Sequence, residues 1–312
     1  MATESQDRPG AQNHPGAKTS GVHQENDVNA ANSTKADAPI RNASVLDAAR
    51  LKEIYSTILR CRMLEKRARS FHKPSAFSVG NGATKQEAAE VGCCMNLEPA
   101  DVVLASQRDF IANFVKGAPL KKLFPSKVSG KGSKKTSQAP SESRKPFMIQ
   151  STAVQLSIAA GAALALSTLD KRNVTLAFWS EGDGLQSLTW EALKLSADHR
   201  LPVIYVVRPG ANPRFLSKEL RGKAPEIGLP IILVDGNDTV AIYRVSQEAV
   251  RRARDGHGPT VIECKVLDSP HAATDPLAFM ENYLKRKNLW SDSWRDRLIA
   301  GFSRELDRVW KS

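Results

Sequence analysis

The chain reads as an α/β protein, a three-layer αβα sandwich around a mainly parallel sheet, and three observations predict that class. Five short runs, at 102–106, 174–179, 202–207, 230–234 and 260–266, are apolar and mostly β-branched, as strands buried on both faces are. Helical patterns lie between them at 152–168, 188–199 and 239–255. Strand and helix therefore alternate, the order that parallel strands joined by crossover helices require. In such sheets ligands gather beyond the carboxyl ends of the strands.

The elements follow in order. Residues 1–43 are rich in Gly, Pro, Asn, Ser and Thr and hold almost no large apolar side chain, so they read as a disordered polar tail that cannot offset its chain entropy. They lack the apolar centre of a signal peptide, and their acidic residues argue against an organellar transit peptide. The folded domain spans 44–312. From Ser44, a plausible N-cap, the pattern is helical through Ser70, with Leu46, Leu51, Ile54, Tyr55, Ile58, Leu59 and Met63 on one stripe. A second helix covers 84–96, opened by Thr84 with Glu87 at capping-box spacing. Residues 120–146 carry eight Lys or Arg against one Glu among Ser, Gly and Pro, and read as a basic flexible loop.

Composition excludes several classes. The 312 residues are 41% hydrophobic and 25% charged, ordinary globular values. No run approaches the roughly 20 apolar residues of a membrane-spanning helix, so the expectation is a soluble protein with no membrane partner. Cys61, Cys93, Cys94 and Cys264 show no CxxC spacing and lie in apolar segments; they read as reduced, buried thiols of a cytoplasmic protein. A formal net charge of +12 invites a nucleic-acid reading, but much of the excess sits in the basic loop. No aromatic and basic platform accompanies it, which makes nucleic acid the remote alternative.

The chemistry concentrates in "VTLAFWSEGDGLQS", where an apolar strand stops on Asp183 between Gly182 and Gly184. Flanking glycines permit a sharp turn and close approach of a ligand, and the carboxylate is a hard oxygen donor. A helix and a strand later comes the polar corner 208–212, which the β-α-β arrangement delivers beside Asp183 on the same sheet edge. A carboxylate with the Asn212 amide oxygen, near helix amino ends, suits Mg²⁺ bridging a diphosphate.

That arrangement resembles the thiamine diphosphate motif, which opens with Gly-Asp-Gly and closes with Asn-Asn. The surrounding sequence is similar to one branch of that superfamily, the alpha subunit of the decarboxylating component of 2-oxo acid dehydrogenase complexes of the pyruvate, acetoin and branched-chain type. Lys85-Gln-Glu-Ala-Ala89, Glu98-Pro-Ala-Asp101, Ser106-Gln-Arg-Asp109, Glu191-Ala-Leu193, Leu201-Pro-Val-Ile204, Val234-Asp-Gly-Asn-Asp238, Gly258-Pro-Thr-Val-Ile-Glu263 and His271-Ala-Ala-Thr-Asp-Pro276 match its blocks in order. The resemblance implies a thiamine diphosphate-binding fold. It implies that Asp183 and Asn212, 212 − 183 = 29 positions apart, ligate Mg²⁺. It further implies that Arg108 grips the diphosphate and that His271 serves acyl transfer near the substrate. The implied partners are a beta-type subunit in an alpha2beta2 heterotetramer, a lipoyl acyltransferase component and a small 2-oxo acid.

The sequence also departs from that pattern. Ala211 stands where the first Asn of the closing pair belongs, Gln107 replaces a Tyr, and Phe110 a His. Gln150-Ser-Thr-Ala153 replaces a glycine-bearing cofactor contact, which narrows the pocket. Two readings follow: a working alpha-type subunit, an oxidoreductase with a lipoyl acceptor, or a degenerate paralogue that keeps the fold as a structural or regulatory partner.

Overall fold

A computed structural model describes residues 46–71, 87–104, 110–123, 152–180, 185–208, 214–265 and 275–311. Their elements run, in chain order, α1 (Ala48–Phe71), α2 (Glu87–Cys94), β1 (Val102–Leu104), α3 (Phe110–Val115), α4 (Leu120–Leu123), α5 (Thr152–Thr168), β2 (Thr175–Ser180) and α6 (Ser187–Asp198). Then come β3 (Val203–Arg208), α7 (Arg214–Lys223) with a 3₁₀ turn (Ala224–Ile227), β4 (Ile231–Asp235), α8 (Thr239–Arg254), β5 (Thr260–Lys265), α9 (Pro276–Arg286) and α10 (Asp292–Lys311).

The described strands form one sheet in the order β1-β2-β3-β5-β4. Each neighbouring pair is parallel. The α/β class read from the sequence is therefore the observed one. The chain steps from β1 to β2 to β3, passes over one place to β4 at the edge, and doubles back through α8 to β5. Right-handed crossovers convert that reversal of direction into a change of face. Accordingly Leu193 of α6 and Leu220 of α7 share a core with Tyr205 and Val207, together with Leu156 of α5. Ile242 and Ala249 of α8 join Ala88 and Cys93 of α2 on the opposite face, against Phe178, Ile204 and Ile262.

The central strands β2, β3 and β5 are buried along nearly their whole length, as their unbroken apolar runs require. The edge strands differ from that expectation: β1 and β4 are only half-buried, and Leu233 is 49% exposed. A third cluster lies where α1 meets α3, α8, α9 and α10 around Tyr55, Ile58, Leu64, Met280, Leu284 and Phe302.

Local chemistry fixes the ends of elements. Asp238 caps α8, accepting a hydrogen bond from the Ala241 N–H at 2.9 Å. Asp275 caps α9 through the Leu277 N–H, with Pro276 at the first helical position, where its missing donor costs nothing. At the amino edge of the sheet, Asp101 accepts from the Glu98 N–H at 2.7 Å, the Val174 N–H at 3.0 Å and Arg254, tying the start of β1 to that of β2.

One boundary is corrected. The basic stretch expected to be a loop throughout 120–146 begins with a helical turn, Leu120–Leu123, because Leu120 is buried in the α1 cluster. Its remainder, the tail 1–43, Ser44 and Thr84 lie outside the described residues. The four cysteines are free and buried, and burial pushes the Cys93 thiol up to about 12, so none of them offers a nucleophilic thiolate. Among the described residues no helix is long and apolar enough to cross a membrane.

Candidate active site

Arg108, Gly182, Asp183, Gly184, Asn212 and His271 all lie outside the described residues. What the structure places is the strand ends from which their segments leave. Arg108 follows the end of β1 at Leu104, Asp183 the end of β2 at Ser180, Asn212 the end of β3 at Arg208, and His271 the end of β5 at Lys265. These are four contiguous parallel strands. All four segments therefore depart from one edge of the sheet, its carboxyl edge.

Along that edge the connections diverge. β2 and β3 lead into α6 and α7 on one face, whereas β1 leads to α3 and β5 to α9, on the α1 side of the molecule. Neighbouring strands thus send their connections to opposite faces, and at such positions open α/β sheets take ligands. The corners after β2 and β3 run into the amino ends of α6, at Ser187, and α7, at Arg214. Such ends carry partial positive charge toward an anion.

Three features of the described residues were not read from the sequence. Arg208, the last residue of β3, donates to Glu90 of α2 at 2.6 Å and lies over the Phe178 ring at 5.2 Å from its centroid. Both members of the pair are buried, so the charge of one is offset by the other at the end of β3. A run of apolar residues ending in one Arg gives no hint of a partner 118 positions earlier. The second feature is Trp179, fully buried next to the end of β2, whose indole N–H has no partner among the described residues.

The third is a charge cluster between α1, α2 and the start of α9. Arg62 donates through Nε to Glu87 Oε1 at 2.9 Å, through Nη2 to Glu87 and to Asp275 Oδ1 at 2.9 Å, and through Nη1 to Asp275 Oδ2 at 3.1 Å. Burial pushes the Glu87 carboxyl up to about 7 against the pull of Arg62. Burial alone would raise Asp275 too, but its bonds from Arg62 and the Leu277 N–H more than offset that and hold it below its ordinary value. Among the described residues no three His, Cys, Asp or Glu side chains are grouped to hold a metal ion, so a metal at this edge would draw on the corners themselves.

A parallel α/β sheet of this kind is the architecture of many cofactor-dependent enzymes. The particular branch comes from comparison with known proteins: the family model of the dehydrogenase E1 component matches residues 55–306, and the chain belongs to that family. It is similar to the pyruvate dehydrogenase E1 component subunit alpha of Staphylococcus aureus, 27% identical over 278 residues that cover 80% of this chain and 74% of the relative. The Bacillus subtilis protein of the same name is 25% identical over 290 residues, covering 84% and 77%. At such identities the chain is a divergent member, in keeping with its altered motif positions. A solved Mycobacterium smegmatis structure, provisionally described as a thiamin diphosphate-dependent enzyme, shares 15% identity over 58% of this chain and 32% of its own, with a TM-score of 0.39, too slight to carry an argument.

Proposed function

We propose that this chain is an alpha-type subunit of a thiamine diphosphate- and Mg²⁺-dependent 2-oxo acid dehydrogenase. The observation that carries the reading is the convergence of four strand ends, those of β1, β2, β3 and β5, at one edge of the sheet ahead of the segments bearing Arg108, Asp183, Asn212 and His271. The donor set fits the cofactor. Asp183 and Asn212 offer hard oxygens to Mg²⁺, Gly182 and Gly184 leave room for backbone to approach, and Arg108 with two helix amino ends answers the diphosphate.

When bound, thiamine diphosphate supplies the carbanion chemistry that decarboxylates a 2-oxo acid. This chain's part is to hold the diphosphate end and to present His271, whose imidazole can donate a proton or stabilise charge as the acyl group moves to a lipoyl domain. The relatives' designation as subunit alpha supports assembly with a further subunit; in this reading that subunit is beta-type, the assembly is alpha2beta2, and a lipoyl acyltransferase component receives the acyl group.

The sequence around the site favours a second reading as well. Arg208-Pro-Gly-Ala lengthens the corner ahead of Asn212, and Gln150-Ser-Thr-Ala153 stands where the family has glycine-bearing contacts, changes that would suit a chain retained for its fold and partner surface. Co-expression with a beta-type subunit followed by a screen of small 2-oxo acids with an artificial electron acceptor separates the two. Turnover that needs Mg²⁺ and thiamine diphosphate and vanishes in Asp183→Ala supports the enzyme; a stable complex without turnover on any 2-oxo acid supports the scaffold.

A further inference from the structure

The segment 266–274 leaves β5 at Lys265 and re-enters the described fold at Asp275, four positions after His271. Its first anchor is the central sheet, since Lys265 ends a strand hydrogen-bonded along both sides. Among the described residues its second anchor is Asp275 at the start of α9. Asp275 ends the segment, caps α9 with one oxygen, and receives both terminal nitrogens of Arg62.

Arg62 is suited to this role by its shape. Its guanidinium turns one edge to the Asp275 carboxylate and another to Glu87, engaging two carboxylates from different elements with one planar cation. Burial alone would lower it, but its bonds to Asp275 and the charge of Glu87 more than offset that and hold it above its ordinary value. The cation therefore stays charged. Glu65 on α1 is a further buried carboxylate whose charge reaches Glu87, so removing Arg62 would take away the cation that sets these acids apart.

We infer that Arg62 is a positioning residue: by holding Asp275 against Glu87 it fixes the point at which the chain returns from the His271 segment. The inference rests on the proposed role of His271 for its catalytic meaning, but its physical content does not. The pair Arg62 and Asp275, 213 positions apart, ties the start of α9 to α1 and α2 rather than to the sheet. Without it the start of α9 would rest on its own cap and on the packing of Met280 and Leu284. A lysine cannot substitute, since three donors on one nitrogen cannot reach both carboxylates edge-on.

Hydrogen exchange followed by mass spectrometry on the full chain tests this without any cofactor. In Asp275→Asn and in Arg62→Lys, peptides covering 266–279 are expected to exchange at least about tenfold faster, while peptides of β2 and β3 keep their protection. The double variant should exchange no faster than either single one, because both remove the same tie. Unchanged exchange over 266–279, or an equal rise throughout the chain, would overturn the inference. In a complex that turns over, both variants should lower kcat while leaving the affinity for thiamine diphosphate within about twofold; matched losses of cofactor affinity and kcat would overturn the positioning role. If the wild-type complex shows no turnover while the exchange result holds, the proposed enzyme fails and the anchor stands.

Discussion

Ser180 and Arg208 are register partners at the carboxyl ends of the adjacent parallel strands β2 and β3. The pairing makes the two corners that follow, one with Asp183 and the other with Asn212, neighbours at their origin. A one-residue slip would send Arg208 to the opposite face of the sheet and break its bond to Glu90 on α2. The ion pair is thus a register pin as well as a charge balance.

Breaking that pair should be costly. Arg208→Leu leaves Glu90 charged and buried, and the loss expected is about 3–5 kcal/mol. Replacing both residues by apolar ones should recover much of it. Midpoints of urea denaturation check this; a single variant within about 1 kcal/mol of wild type would show that the pair is not pinned as described.

Glu87 should impose a pH dependence of its own. Its carboxyl titrates near 7 in the fold against an ordinary 4.5, because burial disfavours the charged form. A raised acid contributes stability that is fully present below its unfolded value and is lost as pH rises through the folded one. Between pH 5 and 8 the wild type should therefore lose on the order of 3 kcal/mol relative to Glu87→Gln, which stays neutral. Parallel curves of stability against pH for the two proteins would refute the assignment.

Gly92 on α2 packs directly on α8. A Cβ there would lie 2.7 Å from Ile242 Cγ2 and 2.9 Å from its Cβ, distances that force the helices apart. Gly92→Ala should cost about 1–3 kcal/mol through overpacking. The same change made in an Ile242→Ala background should cost clearly less, and equal penalties in both backgrounds would place the strain elsewhere.

Asp101 holds the amino edge of β1 and β2 through two backbone N–H groups and Arg254. Asp101→Asn turns one acceptor into a donor facing donors, with an expected loss of about 2–3 kcal/mol. For a domain of this size that is a fall in Tm of about 4–10 °C. A shift under 2 °C would be incompatible with the geometry.

Much of the sheet was legible because β2, β3 and β5 are buried on both faces, and burial writes itself as an unbroken apolar run such as Val203-Ile-Tyr-Val-Val207. Pro99-Ala-Asp101 likewise announces a turn whose carboxylate serves backbone donors. Helices α3, α7, α9 and α10 were not read, although Asp275-Pro276 is a cap followed by a first-turn proline and could have revealed α9. The ion pairs of Arg62 and Arg208 could not have been found that way, since each joins elements far apart in the chain and neither spacing nor composition records the meeting. The candidate site residues themselves rest on the order of motifs, to which the structure adds the strand ends that launch them.

The central claim is that the carboxyl edge holds a metal-bound diphosphate. Calorimetric titration of thiamine diphosphate with Mg²⁺ into the chain co-purified with a beta-type subunit tests it most directly, with Asp183→Ala as the control. The account expects Mg²⁺-dependent binding of micromolar strength, about 8 kcal/mol, which the variant loses while keeping its fold and its partner. A well-formed wild-type complex that takes up no cofactor, or an Asp183→Ala complex that binds it equally well, would contradict the account.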